Sequence, residues 1–209
     1  MEKELVRIIT LEIEQRRARE ITLNIPIRGR SELIMQAWSE KAIKMIQEKQ
    51  AGKTVSKKPR VPEEEYQDAF NYDKSRQYAM PSTAFKKAMV DACREFDNIP
   101  MTRARTLWFV EGEYVPLETY TEPYMRTDMV RLDNGVSMPR YRPGFTEWTA
   151  IVPISFCEDR VTPSTLCNVL DEAGRGGIGE WRPSAPKNKA GQFGRFWVDY
   201  ERIGEVNGA

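Results

Sequence analysis

Residues 174–198, GRGGIGEWRPSAPKNKAGQFGRFWV, are the stretch on which the reading of the whole chain turns. Two glycine clusters, Gly174/Gly176/Gly177/Gly179 and Gly191/Gly194, flank a basic, proline-containing loop, and an aromatic run suited to a strand closes it. Glycine has no Cβ, so such a segment takes positive φ angles and lets a second backbone come close, a property suited to a ribose-phosphate chain. The cations are Arg175, Arg182, Lys187, Lys189 and Arg195 against Glu180 alone, a local charge of +4. Trp181, Phe193, Phe196 and Trp197 are interleaved with them. Single-strand binders use that combination: cations follow phosphates and flat rings stack on bases. The same residues also read as a glycine-rich turn before a terminal strand whose aromatics are core.

Two nucleotide motifs are matched only in letters. Gly174-Arg175-Gly176-Gly177-Ile178-Gly179 fits G-x-G-x-x-G, but a dinucleotide site needs that run between a strand and a helix. Here it follows a helical pattern and enters β-prone residues. A kinase-type glycine loop would need catalytic-loop and metal-binding motifs, which the chain lacks. Gly52-Lys53-Thr54 resembles the end of a phosphate-binding loop, but Gln47 stands where its first glycine belongs. No cofactor or metal is expected.

Working outward, Thr162-Pro163 opens a helix with the stripe Leu166, Val169, Leu170 and Ala173, ended by Gly174. Before it, Glu147–Cys157 reads as a long, mostly buried strand, with Pro153 suggesting an edge or a bulge. Residues 118–146 form an insertion without a sustained period. It contains Tyr124, Arg126, Arg131, Arg140, Tyr141 and Arg142, with Asn134-Gly135 suited to a ribbon tip. These residues suggest a gripping arm. Leu107–Leu117 reads as a hairpin around Glu111-Gly112. Pro81-Ser82 introduces a helix with the unbroken stripe Phe85, Ala88, Met89, Ala92, Cys93 and Phe96, leaving Lys86 and Lys87 to solvent or a partner.

Nearer the N-terminus, Leu5–Ile13 and Ile21–Ile27 read as a hairpin or two strands of one sheet. Ser31 is a candidate cap for a helix whose stripe runs Leu33, Ile34, Ala37, Trp38, Ala42, Met45 and Ile46. Residues 51–80 form a second insertion, a basic loop including Lys53 and Arg60 followed by Glu63, Glu64, Glu65 and Asp68.

With 209 residues and 40% hydrophobic content, the chain can build one sizeable core, and a single domain over 1–209 is expected. The net charge is only +1, so any nucleic-acid affinity must come from local clusters. Three cysteines, Cys93, Cys157 and Cys167, without C-x-x-C spacing, point to a reducing compartment. Histidine is absent, which removes Ser-His-Asp and Cys-His catalysis and histidine acid–base work. No apolar run is long enough to span a membrane, and a cytoplasmic location is expected.

The order β-α, inserted segment, then β-α-β with a glycine-rich loop resembles the RAMP superfamily, the RRM-like proteins of CRISPR effector complexes that include the Cas7, Cas5 and Cas6 proteins. Gly176-Gly177-Ile178-Gly179 with Gly191-Gln192-Phe193-Gly194-Arg195-Phe196 is similar to the superfamily's glycine loop, though less compact. A second likeness, to uncharacterised phage and prophage proteins, rests on Ile27-Arg28-Gly29, Ala84-Phe85-Lys86-Lys87-Ala88 and Gly179-Glu180-Trp181-Arg182-Pro183. The resemblance implies an α+β, ferredoxin-like antiparallel sheet with helices on one face and an inserted ribbon arm.

The expected function is non-enzymatic binding of single-stranded RNA or DNA, with several copies side by side as Cas7-like subunits do. Arg175, Arg182, Lys187, Lys189, Arg195, Arg126, Arg131, Arg140 and Arg142 would meet phosphates. Trp181, Tyr124 and Tyr141 would stack on bases, Phe193, Phe196 and Trp197 would be core because they share a strand, and Gly176, Gly177 and Gly179 would let the nucleic acid approach. One alternative is a phage structural or inhibitory protein acting through a protein partner. Another is a metal-independent endoribonuclease of the Cas6 kind.

Overall fold

The structure, a computed structural model, describes residues 19–37, 40–52, 59–96, 99–131, 135–186 and 189–208. The strand expected at Leu5–Ile13, and the residues Trp38, Lys53 and Lys187, lie outside them. In chain order come β1 (Glu20–Gly29), β2 (Leu33–Ile34), α1 (Glu40–Gln50), α2 (Pro62–Gln67), β3 (Ala79–Pro81) and α3 (Ser82–Ala92). Then follow α4 (Met101–Leu107), β4 (Trp108–Val110), β5 (Tyr114–Thr119), β6 (Tyr124–Arg131), β7 (Ser137–Phe145), β8 (Trp148–Cys157), α5 (Pro163–Gly176), β9 (Phe196–Val198) and α6 (Ile203–Asn207).

Alternation decides how the main sheet is filled. Along β1, Ile25 and Ile27 are fully buried and Arg28 is exposed, as a half-covered strand requires. β1 pairs antiparallel with β8 from Glu20↔Cys157 to Arg28↔Thr149, so Val152 and Ile154 share the covered face with Ile25 and Leu23. The sheet order is β3-β5-β8-β1-β9, with β4 also beside β8. Leaving the inserted pieces aside, the chain runs β1, α3, β4/β5, β8, α5, β9, and β1 lies between the last strand and the third. That is the βαββαβ ferredoxin-like arrangement. The expected α+β antiparallel fold is therefore present.

Helices α3 and α5 cover one face. Phe85 and Met89 of α3 and Leu166, Val169 and Leu170 of α5 join the strand residues in one apolar core. Burying such side chains contributes about 1.5–3 kcal/mol each. The Thr162 side-chain oxygen accepts the Thr165 amide at 3.1 Å and Pro163 supplies the pre-set first turn of α5. This helix runs two residues past the expected stop at Gly174, which lies within it against the backbone of Phe196.

Four expectations are corrected. Residues 107–117 are not a hairpin: β4 and β5 pair successively with β8, at Trp108↔Phe156 and at Leu117↔Ala150, and residues 111–113 bulge out between them. Pro153 accordingly sits in a central strand rather than at an edge, opposite this bulge. Its carbonyl accepts the Glu111 amide at 2.9 Å, and since N–H and C=O of one strand residue face the same side, its missing N–H falls at that break. Lys86 does not face solvent; its Nζ donates to the carbonyls of Ala104 (3.2 Å) and Trp108 and lies over the Trp108 and Phe109 rings. The helix expected from Ser31 starts only at Glu40, because Leu33, Ile34 and Met35 are all buried in extended backbone rather than on one helical face.

Two stretches of the sheet's margin are capped. Beside β1, the side chain of Asn207 accepts the Asn24 amide (3.0 Å) and donates to the Asn24 carbonyl (2.8 Å), as a neighbouring strand would. Beside β3, the Ala79 amide bonds Asn71 and a bridge joins Tyr72 to Tyr78.

Candidate nucleic-acid interface

Residues 30–35 are the hinge of the site. On one side the amides of Arg30 and Ser31 donate to the Arg195 carbonyl (2.7 and 3.3 Å). The Glu32 carbonyl accepts the Gly194 amide at 2.7 Å, and the Ile34 carbonyl accepts the Glu180 amide at 2.9 Å. On the other side Leu33 and Ile34 pair with Phe145 and Gly144 of β7, and the Met35 amide donates to Pro143. The glycine loop and the arm, read as separate halves from the sequence, are thus stitched to opposite edges of one short segment. Ser31 takes part directly: its hydroxyl accepts the Arg195 amide at 3.0 Å and its carbonyl accepts Trp148 Nε1 at 3.0 Å.

The arm is a regular ribbon, not an irregular insertion. β6 and β7 pair from Tyr124↔Gly144 to Arg131↔Ser137, and Gly135 at the turn has φ +82°. Arg126 and Arg142 are register partners and share one ribbon face with Asp128. Arg126 Nη1 donates to Glu32 (2.7 Å) and to the Tyr124 hydroxyl (3.2 Å), and its Nη2 donates to Asp128 (3.1 Å). The Tyr124 hydroxyl donates to the other Glu32 oxygen at 2.7 Å. Arg142 Nε donates to Gln36 at 3.1 Å, and its Nη1 lies 3.9 Å from Asp128 and 4.0 Å from Glu180.

This arrangement joins arm to loop a second time. Arg126 lies 4.8 Å from the Phe193 ring centroid and Arg142 lies 5.4 Å from that of Trp181, and the two rings are 6.1 Å apart. Desolvated cation–π contacts of this kind contribute about 2 kcal/mol. Burial opposes the Arg126 charge, but its hydrogen bonds to Asp128 and Glu32 hold its pKa above the ordinary guanidinium value. Burial pulls Arg142 below its ordinary value against the pull of Glu180 and Asp128. Burial, then the Glu32 hydrogen bond, raises Tyr124.

Several expected contacts therefore have other work. Arg126 and Arg142 are internal ion-pair partners, Tyr124 is tied to Glu32, and Trp181 is half-buried beneath Arg142. The glycines do admit a close backbone, but it is the chain's own. A Cβ on Gly194, at φ +66°, would run into the Ile178 carbonyl, and one on Gly179, at φ +77°, would stand 2.6 Å from the Ile34 carbonyl. Gly177 is walled by the carbonyls of Phe193 and Gly194, and Gly176 faces Ser184. The G-x-G-x-x-G letters start inside α5 and run past its C-terminus, the negative end of the helix dipole, where a phosphate is disfavoured.

The remaining cations lie along the ribbon and on the glycine loop. Arg131 and Lys189 are exposed, and Arg140, opposite Asp128 in the ribbon, is half-exposed, as is Tyr141. Arg175 is exposed beside Glu172 at 3.6 Å. Arg182 Nη1 donates to the Gly179 carbonyl at 2.8 Å and Arg195 Nε to the Gln192 carbonyl at 3.2 Å, leaving each guanidinium further donors.

Sequence reasoning placed Trp197 in the core with Phe196. The structure separates them: Phe196 is 2% exposed and faces the helices, whereas Trp197 is 40% exposed on the opposite face. The period of two along Phe196-Trp197-Val198 was the available signal. Arg30 lies 5.2 Å from the Trp197 ring centroid, and Arg28 is its register partner.

Among solved structures, Cmr6 from Pyrococcus furiosus aligns over 86% of this chain and 99% of its own, at 10% identity and a TM-score of 0.44. No protein-family model matches the chain, and no curated protein does. Among the described residues, no helix is long and apolar enough to cross a membrane.

Proposed function

We propose that this chain is a non-enzymatic binder of single-stranded nucleic acid, acting at the junction of its glycine loop and ribbon. The observation that carries the reading is the double attachment of these two elements. Backbone bonds through residues 30–35 and the Arg126–Phe193 and Arg142–Trp181 contacts bring two separately basic segments to one place. Among the described residues of these two elements, Arg131, Arg140, Arg175, Arg182, Lys189 and Arg195 have donors available for phosphates, and Lys187 belongs to the same loop. Local clusters suffice for such a ligand in a chain of nearly neutral net charge.

The ferredoxin-like sheet with a ribbon insertion agrees with the RAMP resemblance of the sequence. On that reading the protein is a phage-borne, Cas7-like subunit that lines RNA or DNA in several copies. The test is a fluorescence-anisotropy titration of labelled single-stranded oligo-uridylate and oligo-thymidylate at two salt concentrations, with duplex as control. Preferential single-strand binding that weakens with salt supports the reading. No binding to either strand at low salt removes it.

A second reading, a protein partner, is favoured by one ribbon face. Met125 and Met129 project from it with Met129 64% exposed, and exposed apolar groups of this kind mark interfaces. A salt-insensitive complex with a host or phage protein, together with no affinity for either oligonucleotide, would favour it.

A further inference from the structure

At the β1–β9 corner, the face of the sheet away from α3 and α5 carries a subsite that the loop reading does not include. We infer that Trp197, with Arg28 and Arg30, forms a base-stacking and phosphate-holding subsite for an unpaired nucleotide; the inference rests on the nucleic-acid reading above.

Three independent observations meet at this corner. Trp197 turns an indole to solvent between two buried neighbours, Phe196 and Val198, so its ring contributes little to the core. The ring is accompanied by cations: Arg28 is its cross-strand partner with 55% of its side chain exposed, and the Arg30 guanidinium lies over it. Guanidinium and indole are both flat, π-faced groups on which a base stacks. Finally, the corner is continuous with the glycine loop. The carbonyl of Arg195 holds the amides of Arg30 and Ser31, and Trp197 follows two strand residues on, about 6.6 Å away. A strand leaving the loop at Arg195 therefore reaches Trp197 next.

The local charge favours an anion. Asp199 stands 3.6 Å from Arg28 but is 11% exposed, so it orients that guanidinium without covering its outer donors. Further along the same row across the sheet, Thr149 pairs with Arg28 on one side and Glu118 on the other. Glu118 is occupied there by the Thr149 hydroxyl (3.1 Å) and Arg202 (4.0 Å). The class of ligand follows: an unpaired base of any type, since every base has a π face, with its adjoining phosphate. Bases inside a duplex are already stacked and do not fit.

The test uses the full chain with labelled oligo-uridylate and oligo-thymidylate, read by anisotropy and by tryptophan emission. Trp197→Ala and Trp197→Leu are expected to weaken binding about 5- to 150-fold, with Trp197→Phe within about threefold of the unaltered protein. The emission quench seen on binding should shrink in Trp197→Phe, and circular dichroism melts should be unchanged in all three. If the unaltered protein binds and Trp197→Ala or Trp197→Leu binds equally tightly, the stacking subsite is refuted while the loop reading stands. If the unaltered protein binds neither oligonucleotide, the loop reading fails and the subsite falls with it.

Discussion

Arg142 Nη1 and Asp128 Oδ2 face each other at 3.9 Å, both side chains 6% exposed, and neither atom makes a hydrogen bond. The pair is held by charge in a desolvated space between ribbon and glycine loop. Buried ion pairs contribute little over apolar replacements, but removing one partner strands the other charge. Asp128→Ala leaves Arg126 and Arg142 with Glu32 and Glu180 as their carboxylate partners and is expected to lower the unfolding free energy by about 3 kcal/mol. Asp128→Asn, which keeps an acceptor for Arg126, should cost less. Urea unfolding monitored by tryptophan fluorescence distinguishes the two; equal stability of Asp128→Ala and the unaltered protein would mean the pair is open in solution.

The glycines of the loop separate by what surrounds them. Gly194 combines φ +66° with a carbonyl where a Cβ would go, so Gly194→Ala should cost at least about 3 kcal/mol and unseat the loop from Glu32. Gly204 in α6 has open space around it, and Gly204→Ala should stabilise by about 0.5–1 kcal/mol through helix propensity. Thermal melts of the two variants moving in the same direction would contradict this account.

Burial pulls Lys86 down to about 8, so the folded state releases a proton that the unfolded chain keeps until near 10.5. Between those values the unfolded state binds more protons, and stability should rise with pH. Cys93 has the opposite sign, since burial pushes its thiol up to about 11 and the unfolded chain ionises first above about 9. The clean window is therefore about pH 8 to 9. Allowing for the half-exposed position of Lys86, a gain of roughly 0.5 kcal/mol is expected there. In Lys86→Met that gain should vanish; if it persists, another group is responsible.

Exposed and internal arginines should part company in binding assays. Arg131→Ala and Lys189→Ala leave every internal contact of the junction intact and should weaken binding alike for all sequences. Each should flatten the salt dependence by about 0.7 in log–log slope. Arg126→Ala should instead appear first as lost stability, because it leaves Glu32 with the Tyr124 hydroxyl and Asp128 with the more distant Arg142. A flattened slope in Arg126→Ala at unchanged stability would show that this guanidinium does reach phosphate.

Much of the frame was legible from periodicity alone. Phe85, Ala88, Met89 and Ala92 repeat at helical steps, and Thr162-Pro163 names a helix start by its chemistry; both helices start where the sequence puts them. The run Leu33-Ile34-Met35 was misread because a short apolar run fits a helix stripe and a buried extended segment equally well. The roles of Arg126 and Arg142 were hidden for another reason. Their partners Glu32 and Gln36 lie 94 and 106 residues away in sequence, and no local pattern reports a pairing of that span. A cation inside an arginine-rich segment looks free until the fold supplies the acid.

The amide of Asn207 that completes the backbone pairing of Asn24 has a consequence for assembly. Asn24 of β1 is capped by a side chain and β3 is flanked by the Asn71–Tyr78 turn, so at these two stretches another copy finds no vacant strand position on which to template itself. Neighbouring copies ordered on one nucleic-acid strand would meet there through side chains and turns, with a spacing set by the polymer they share.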